Sequence, residues 1–103
     1  MTIHQIAYFV VLDHTLEVCQ DAIREFVDYV RDNEPDTLVY TSLQEKENPN
    51  SFLHYFVFRN ENARDLHANS EAVIRFTDTL YPNLVAPVEF TEYRVYADTH
   101  STP

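Results

Sequence analysis

Apolar positions in this chain follow two periods, alternating in four stretches and recurring every three to four residues in the stretches between them. From Ile3 to Leu12, Ile6, Tyr8, Val10 and Leu12 fall on one face of a strand and Ala7, Phe9 and Val11 on the other. After the polar connection Asp13-His14-Thr15, Leu16, Cys19, Ile23, Phe26, Val27 and Val30 form one stripe of an amphipathic helix of about four turns. Thr15 is its expected N-cap, and Asn33 is expected to end it in left-handed geometry before Glu34-Pro35-Asp36. Thr37 to Gln44 reads as a second strand, with Leu38, Tyr40 and Ser42 opposite Val39, Thr41 and Leu43.

The next stretch, Asn48 to His67, reads as turn, strand, cap and helix. Asn48-Pro49-Asn50 is a turn, because proline presets φ and asparagine tolerates left-handed geometry. Phe52, His54, Phe56 and Phe58 then point one way along a strand and Leu53, Tyr55 and Val57 the other. Strands two and three form a hairpin. Asn60 caps a short helix ending near His67, and Ser70 caps a further one from Glu71 to about Leu80, whose expected inner stripe is Val73, Ile74, Thr77, Leu80 and Tyr81. Pro82 stops or bends it, and Val88 to Ala97 is the last strand.

The order strand, helix, strand, strand, helix, strand predicts an α+β, ferredoxin-like βαββαβ domain with a four-stranded antiparallel sheet. Residues 1–97 form this single domain and residues 98–103 a polar tail. Strands one and three are apolar on both faces, and the helices cover only one. The other face is expected to close against a twin sheet, giving a homodimer built as a dimeric α/β barrel.

Composition narrows the partners. Seventeen acids against seven Lys and Arg give a net charge of −10, which repels nucleic-acid backbones and anionic membranes. No apolar run approaches the roughly 20 residues of a membrane helix, and Met1-Thr2-Ile3-His4 lacks the basic start of a secretory signal, so the expected location is the cytoplasm. The single cysteine, Cys19, lies on the helical stripe and reads as a buried small hydrophobe. The chain has no glycine, which excludes glycine-rich phosphate and dinucleotide loops and leaves its seven asparagines to serve any position of positive φ.

Histidine and tyrosine are the side chains with candidate chemistry. His67 follows Ala63 by four on the inner stripe of its helix, and reads either as a base or as a last-turn histidine tied to a neighbour. His54, among aromatics on the third strand, reads as a base or as a hydrogen-bonded core residue. Whether the two converge depends on the helix folding back beside the strand. His4, His14 and His100 read as surface or terminal, and no spacing of histidines makes a metal motif. Tyr40 and Tyr81 are candidate donors to a phenolic ligand or edge-of-core residues. Arg75, the one cation of the helix from Glu71, reads either as a partner for a substrate anion or as paired with Glu71 four residues earlier.

Asn48-Pro49-Asn50-Ser51-Phe52, then Phe58 followed by Arg-Asn-Glu-Asn-Ala-Arg-Asp-Leu-His67, then Ser70 and Phe76, resemble the antibiotic biosynthesis monooxygenase domain, with the overlap running from about Ile3 to Tyr96. The resemblance implies a homodimer with a ligand pocket between helices and sheet in each subunit, and an oxygenase that uses no metal, flavin or nicotinamide. Two departures from the family pattern stand out. Phe56 occupies a position where relatives often carry Glu, and Phe58 one where they commonly carry Trp. The haem-degrading relatives are a poor fit, because their catalytic Trp aligns with His67 and their haem-ligating His with Thr77.

Two functions follow. The first is a cofactor-independent monooxygenase oxidising a quinol or polyphenol with dioxygen. In it His67 and His54 are the catalytic candidates, Tyr81 and Tyr40 the donors, and Phe56, Phe58 and Phe76 the walls. The alternative is a non-catalytic dimeric module that binds a small aromatic ligand.

Overall fold

The computed structural model describes residues 1–100. Strand β1 (Ile3–Val10), helix α1 (Leu16–Asn33), strands β2 (Thr37–Gln44) and β3 (Ser51–Phe58), helices α2 (Glu61–Ala68) and α3 (Glu71–Leu80) and strand β4 (Glu89–Tyr93) follow in chain order. The four strands form one sheet ordered β2-β3-β1-β4, every neighbouring pair antiparallel. This is the ferredoxin-like α+β arrangement expected from the sequence.

The pleat sorts the aromatic residues. Register pairs Ala7 with His54 and Phe9 with Phe52, and Tyr40 with Phe56, so these side chains share the face that the helices cover. From the helices, Cys19, Ile23, Phe26, Val30, Ala72, Phe76 and Leu80 complete the core. Phe26 and Phe76 stack almost parallel, with centroids 4.6 Å apart, and lock α1 against α3. The opposite face carries Val39, Leu43, Tyr55 and Tyr93, each at least one-third exposed.

Asn60 and Ser70 cap as expected: Asn60 Oδ1 accepts from the Ala63 amide at 2.9 Å, and Ser70 Oγ from the Val73 amide at 3.1 Å. The hairpin turn also forms, its Ser51 amide donating to the Asn48 carbonyl at 2.9 Å.

Several local expectations are corrected. Thr15 does not cap α1, because its hydroxyl turns back to donate to the Leu12 carbonyl at 2.9 Å in a short 3-10 turn over Asp13–Thr15. Helix α1 runs 18 residues, nearer five turns than four, and includes Asn33, whose side-chain amide donates to the Tyr29 carbonyl rather than adopting left-handed geometry. No described residue has positive φ, so the turns are built without the asparagine substitution for glycine that was expected. Strand β1 stops at Val10, since Val11 forms only an isolated bridge with Leu84, and β4 ends at Tyr93. The buried stripe of α3 is Ala72, Phe76 and Leu80, with Ile74 53% exposed: the helix is rotated so that Phe76 can stack on Phe26. Arg75 faces Glu25 across α1 at 3.8 Å instead of Glu71. Residues 101–103 of the expected tail lie outside the described residues.

Candidate functional site

A cavity of about 260 Å³ lies between the sheet and helices α1 to α3. All seven residues singled out in the sequence, Tyr40, His54, Phe56, Phe58, His67, Phe76 and Tyr81, line it. Tyr81 and Phe90, 50% and 63% exposed, stand at its mouth. The two histidines do converge: Tyr40 lies between them, with ring centroids 5.4 Å from His54 and 5.7 Å from His67.

Their environments differ sharply. His54 is 1% exposed, and both its ring nitrogens are taken: Nδ1 lies 2.8 Å from the Tyr40 hydroxyl and Nε2 2.9 Å from Ser42 Oγ. Burial pushes its pKa from 6.5 down to about 4, so the ring is neutral near pH 7. Burial also raises the Tyr40 hydroxyl, helped by the negative charge of Glu34, and keeps it protonated. Tyr40 O–H donating to Nδ1 and Nε2–H donating to Ser42 uses each donor once. This chain holds the Tyr40 ring in place, stacked on Phe56 at 5.1 Å.

His67 has one nitrogen tied and one available. Its Nδ1 lies 2.7 Å from Glu34 Oε1, and both side chains are only 11% exposed. Glu34 is the residue that sequence reasoning missed as part of the site: it appeared only as a helix-ending residue, yet it sits where α1 gives way to β2 and reaches the last turn of α2. Burial pushes the Glu34 carboxyl up. The His67 hydrogen bond and charge and the Thr37 hydroxyl, 2.8 Å from the same oxygen, outweigh it and hold the group below its ordinary value. An ionised carboxylate only accepts, so the shared proton sits on His67 Nδ1. Nε2 makes no hydrogen bond to any described residue. Around this pair the walls are aromatic, with Phe26, Phe56 and Phe58 at 5.4, 6.1 and 5.1 Å from the His67 ring.

The arrangement is an imidazole in the wall of a largely apolar cavity, backed by a carboxylate that does not itself line it. Chemically it can orient an imidazole and present its second ring nitrogen to a ligand. Phe26, expected only as part of the helical stripe, also lines the cavity, as do Gln5 and Arg64, which had carried no signal in the sequence. Among the described residues no group of three or more His, Cys, Asp or Glu side chains is placed to hold a metal ion. Among the described residues no helix is long and apolar enough to cross a membrane.

An antiparallel ferredoxin-like sheet with a small, aromatic-walled cavity under its helices defines the class of protein. The profile of the antibiotic biosynthesis monooxygenase family matches residues 2–79, and the protein belongs to that family. No curated protein matches its sequence. Among solved structures, a protein of Bacteriodes thetaiotaomicron VPI-5482, provisionally named an antibiotic biosynthesis monooxygenase, superposes with a TM-score of 0.88 at 16% identity, covering 99% of this chain and 96% of its own. Rv0793 of Mycobacterium tuberculosis gives 0.87 at 15% identity, over 96% and 99% of the two chains. PA3566 of Pseudomonas aeruginosa gives 0.83 at 22% identity, over 93% and 95%. At such identities the structural likeness speaks for the fold.

Proposed function

We propose that the protein is a monooxygenase that oxidises a quinol or related phenol with dioxygen, drawing the electrons from the substrate itself. The observation that carries this reading is the Glu34–His67 dyad at 2.7 Å, with Nε2 unoccupied in an aromatic-walled cavity. A pocket lined by Phe and Leu alone would have favoured simple binding.

In this reading the quinol ring lies among Phe56, Phe58 and Phe76, and His67 Nε2 takes the proton of one hydroxyl. The resulting phenolate is electron-rich enough to pass one electron to dioxygen, giving a semiquinone and superoxide. The two combine at a ring carbon that bears hydrogen, and the His67 imidazolium returns its proton to the new peroxide. Loss of the carbon-bound proton with cleavage of the O–O bond then releases water. Quinol plus dioxygen becomes hydroxyquinone plus water, with one oxygen atom retained in the product. Glu34 stabilises the imidazolium formed in the first step, and Tyr40, whose hydroxyl is given to His54, packs its ring against the substrate rather than donating to the oxyanion. His54, which holds Tyr40, is thereby a positioning residue, and Tyr81 at the mouth is the tyrosine left to donate to the substrate. Exclusion of water by the aromatic walls strengthens each of these interactions.

The assembly in this reading is a homodimer. Val39, Leu43, Tyr55 and Tyr93 on the face away from the helices form an apolar surface that a second copy of the same sheet would cover. The experiment that tests the catalytic reading is oxygen uptake with naphthoquinols, coupled to detection of hydroxylated quinone.

A further inference from the structure

The cavity is electrostatically unlike the rest of the molecule. Seventeen acids give the chain a net charge of −10, yet no Asp or Glu side chain lines the cavity. Of the seven Lys and Arg residues, one does: Arg64 on α2. It precedes His67 by three residues, so the two side chains leave the same side of the helix about 5–6 Å apart at their Cβ atoms.

The charges of the two residues are compensated differently. Glu34 sits directly against His67 at 2.7 Å and offsets any charge there. Arg64 has only its sequence neighbour Asp65, whose Oδ1 lies 3.5 Å from Nε and whose side chain is 65% exposed. Such a contact is screened by water and leaves the terminal guanidinium nitrogens without a described partner. The Arg64 side chain is 35% exposed, at the boundary between solvent and the apolar interior. There a planar fork of donors can meet a carboxylate in two parallel hydrogen bonds.

We propose that Arg64 is a specificity-determining residue that selects aromatic substrates bearing a carboxylate. The acid is held by the guanidinium at the cavity edge and the ring is carried inward toward His67. A strongly anionic surface repels such ligands elsewhere, so a lone cation at the cavity, paired only with a solvent-screened carboxylate, confines their binding to this site. The inference rests on the cavity being the substrate site and is tested by binding alone, so that a failure of the oxygenase reading leaves it measurable.

The experiment compares two near-isosteric probes, 6-hydroxy-2-naphthoate and 6-hydroxy-2-naphthamide, by calorimetry or quenching of tyrosine emission at low and high salt. Wild-type protein is expected to bind the acid about tenfold or more tightly than the amide, as a charge-assisted hydrogen bond implies. The preference should shrink with salt. Arg64→Met should abolish the preference, and Arg64→Lys, which keeps the charge and loses the fork, should retain part of it. Equal affinity for the two probes in wild type, failure to bind either, or a preference that survives in Arg64→Met would overturn the proposal.

Discussion

Glu34 and His67, 33 residues apart in the chain, meet through a 2.7 Å hydrogen bond at the wall of the cavity. One residue ends α1 and the other lies in the last turn of α2, so this bond holds α2 to the helical layer as well as fixing an imidazole. Glu34→Gln keeps the volume and removes the charge. In the oxygenase reading it should lower kcat about 10- to 100-fold with little change in KM, and Glu34→Asp should recover part of the loss. A purely structural role would instead give parallel losses of KM, kcat and stability.

Acid stability should show the buried histidine. His54 has its pKa depressed from 6.5 to about 4 by burial, so the unfolded chain binds its proton first as pH falls. The stabilisation is complete above about pH 6.5. It is lost progressively on descent to about pH 4, amounting to about 3 kcal/mol. Glu34, held below the ordinary carboxyl range, adds stability that is present above that range and is lost at still lower pH, as its own folded value is passed. Urea midpoints of His54→Asn should therefore fall less steeply than wild type between pH 6.5 and 4, and equal slopes would contradict the assignment.

Cys19 is fully buried, and burial raises its thiol pKa against a weak contact to the Thr15 hydroxyl. The thiol should be silent to an aromatic disulfide reagent in the native protein and react once per chain in urea. Rapid reaction under native conditions would show that α1 opens readily.

Association through the open sheet face should double the mass of one chain in sedimentation at micromolar concentration. Tyr55→Glu places a charge at the centre of that face, on the middle strand pair, and should shift the protein to monomer. A wild-type monomer at this concentration would contradict the dimer.

The sequence carried most of this fold because period and caps agreed: the alternation of β3, the stripe of α1 and the caps Asn60 and Ser70 each reported on local geometry. The aromatic walls were legible for the same reason, since Phe52, His54, Phe56 and Phe58 share one face of β3 once the strand is recognised. Glu34 was illegible. Its partner is a third of the chain away, its local context explains it fully as a helix end, and only the return of α2 toward β2 joins the two. The rotation of α3 was hidden likewise, because Ile74 and Phe76 both satisfy an apolar stripe and the Phe26 stack decides between them. Arg64 was hidden because nothing in the run Arg-Asn-Glu-Asn-Ala-Arg-Asp sets one charged residue apart from the next.

The most direct test of the central claim is oxygen uptake by the purified, metal-stripped protein with a panel of naphthoquinols, run beside His67→Ala. The expected result is formation of a hydroxyquinone with uptake above the uncatalysed rate, reduced about 100-fold or more in the variant, as removal of a general base requires. Uptake that His67→Ala leaves unchanged would contradict the role of His67, and an absence of uptake with every quinol would leave the cavity a binding site for aromatic ligands.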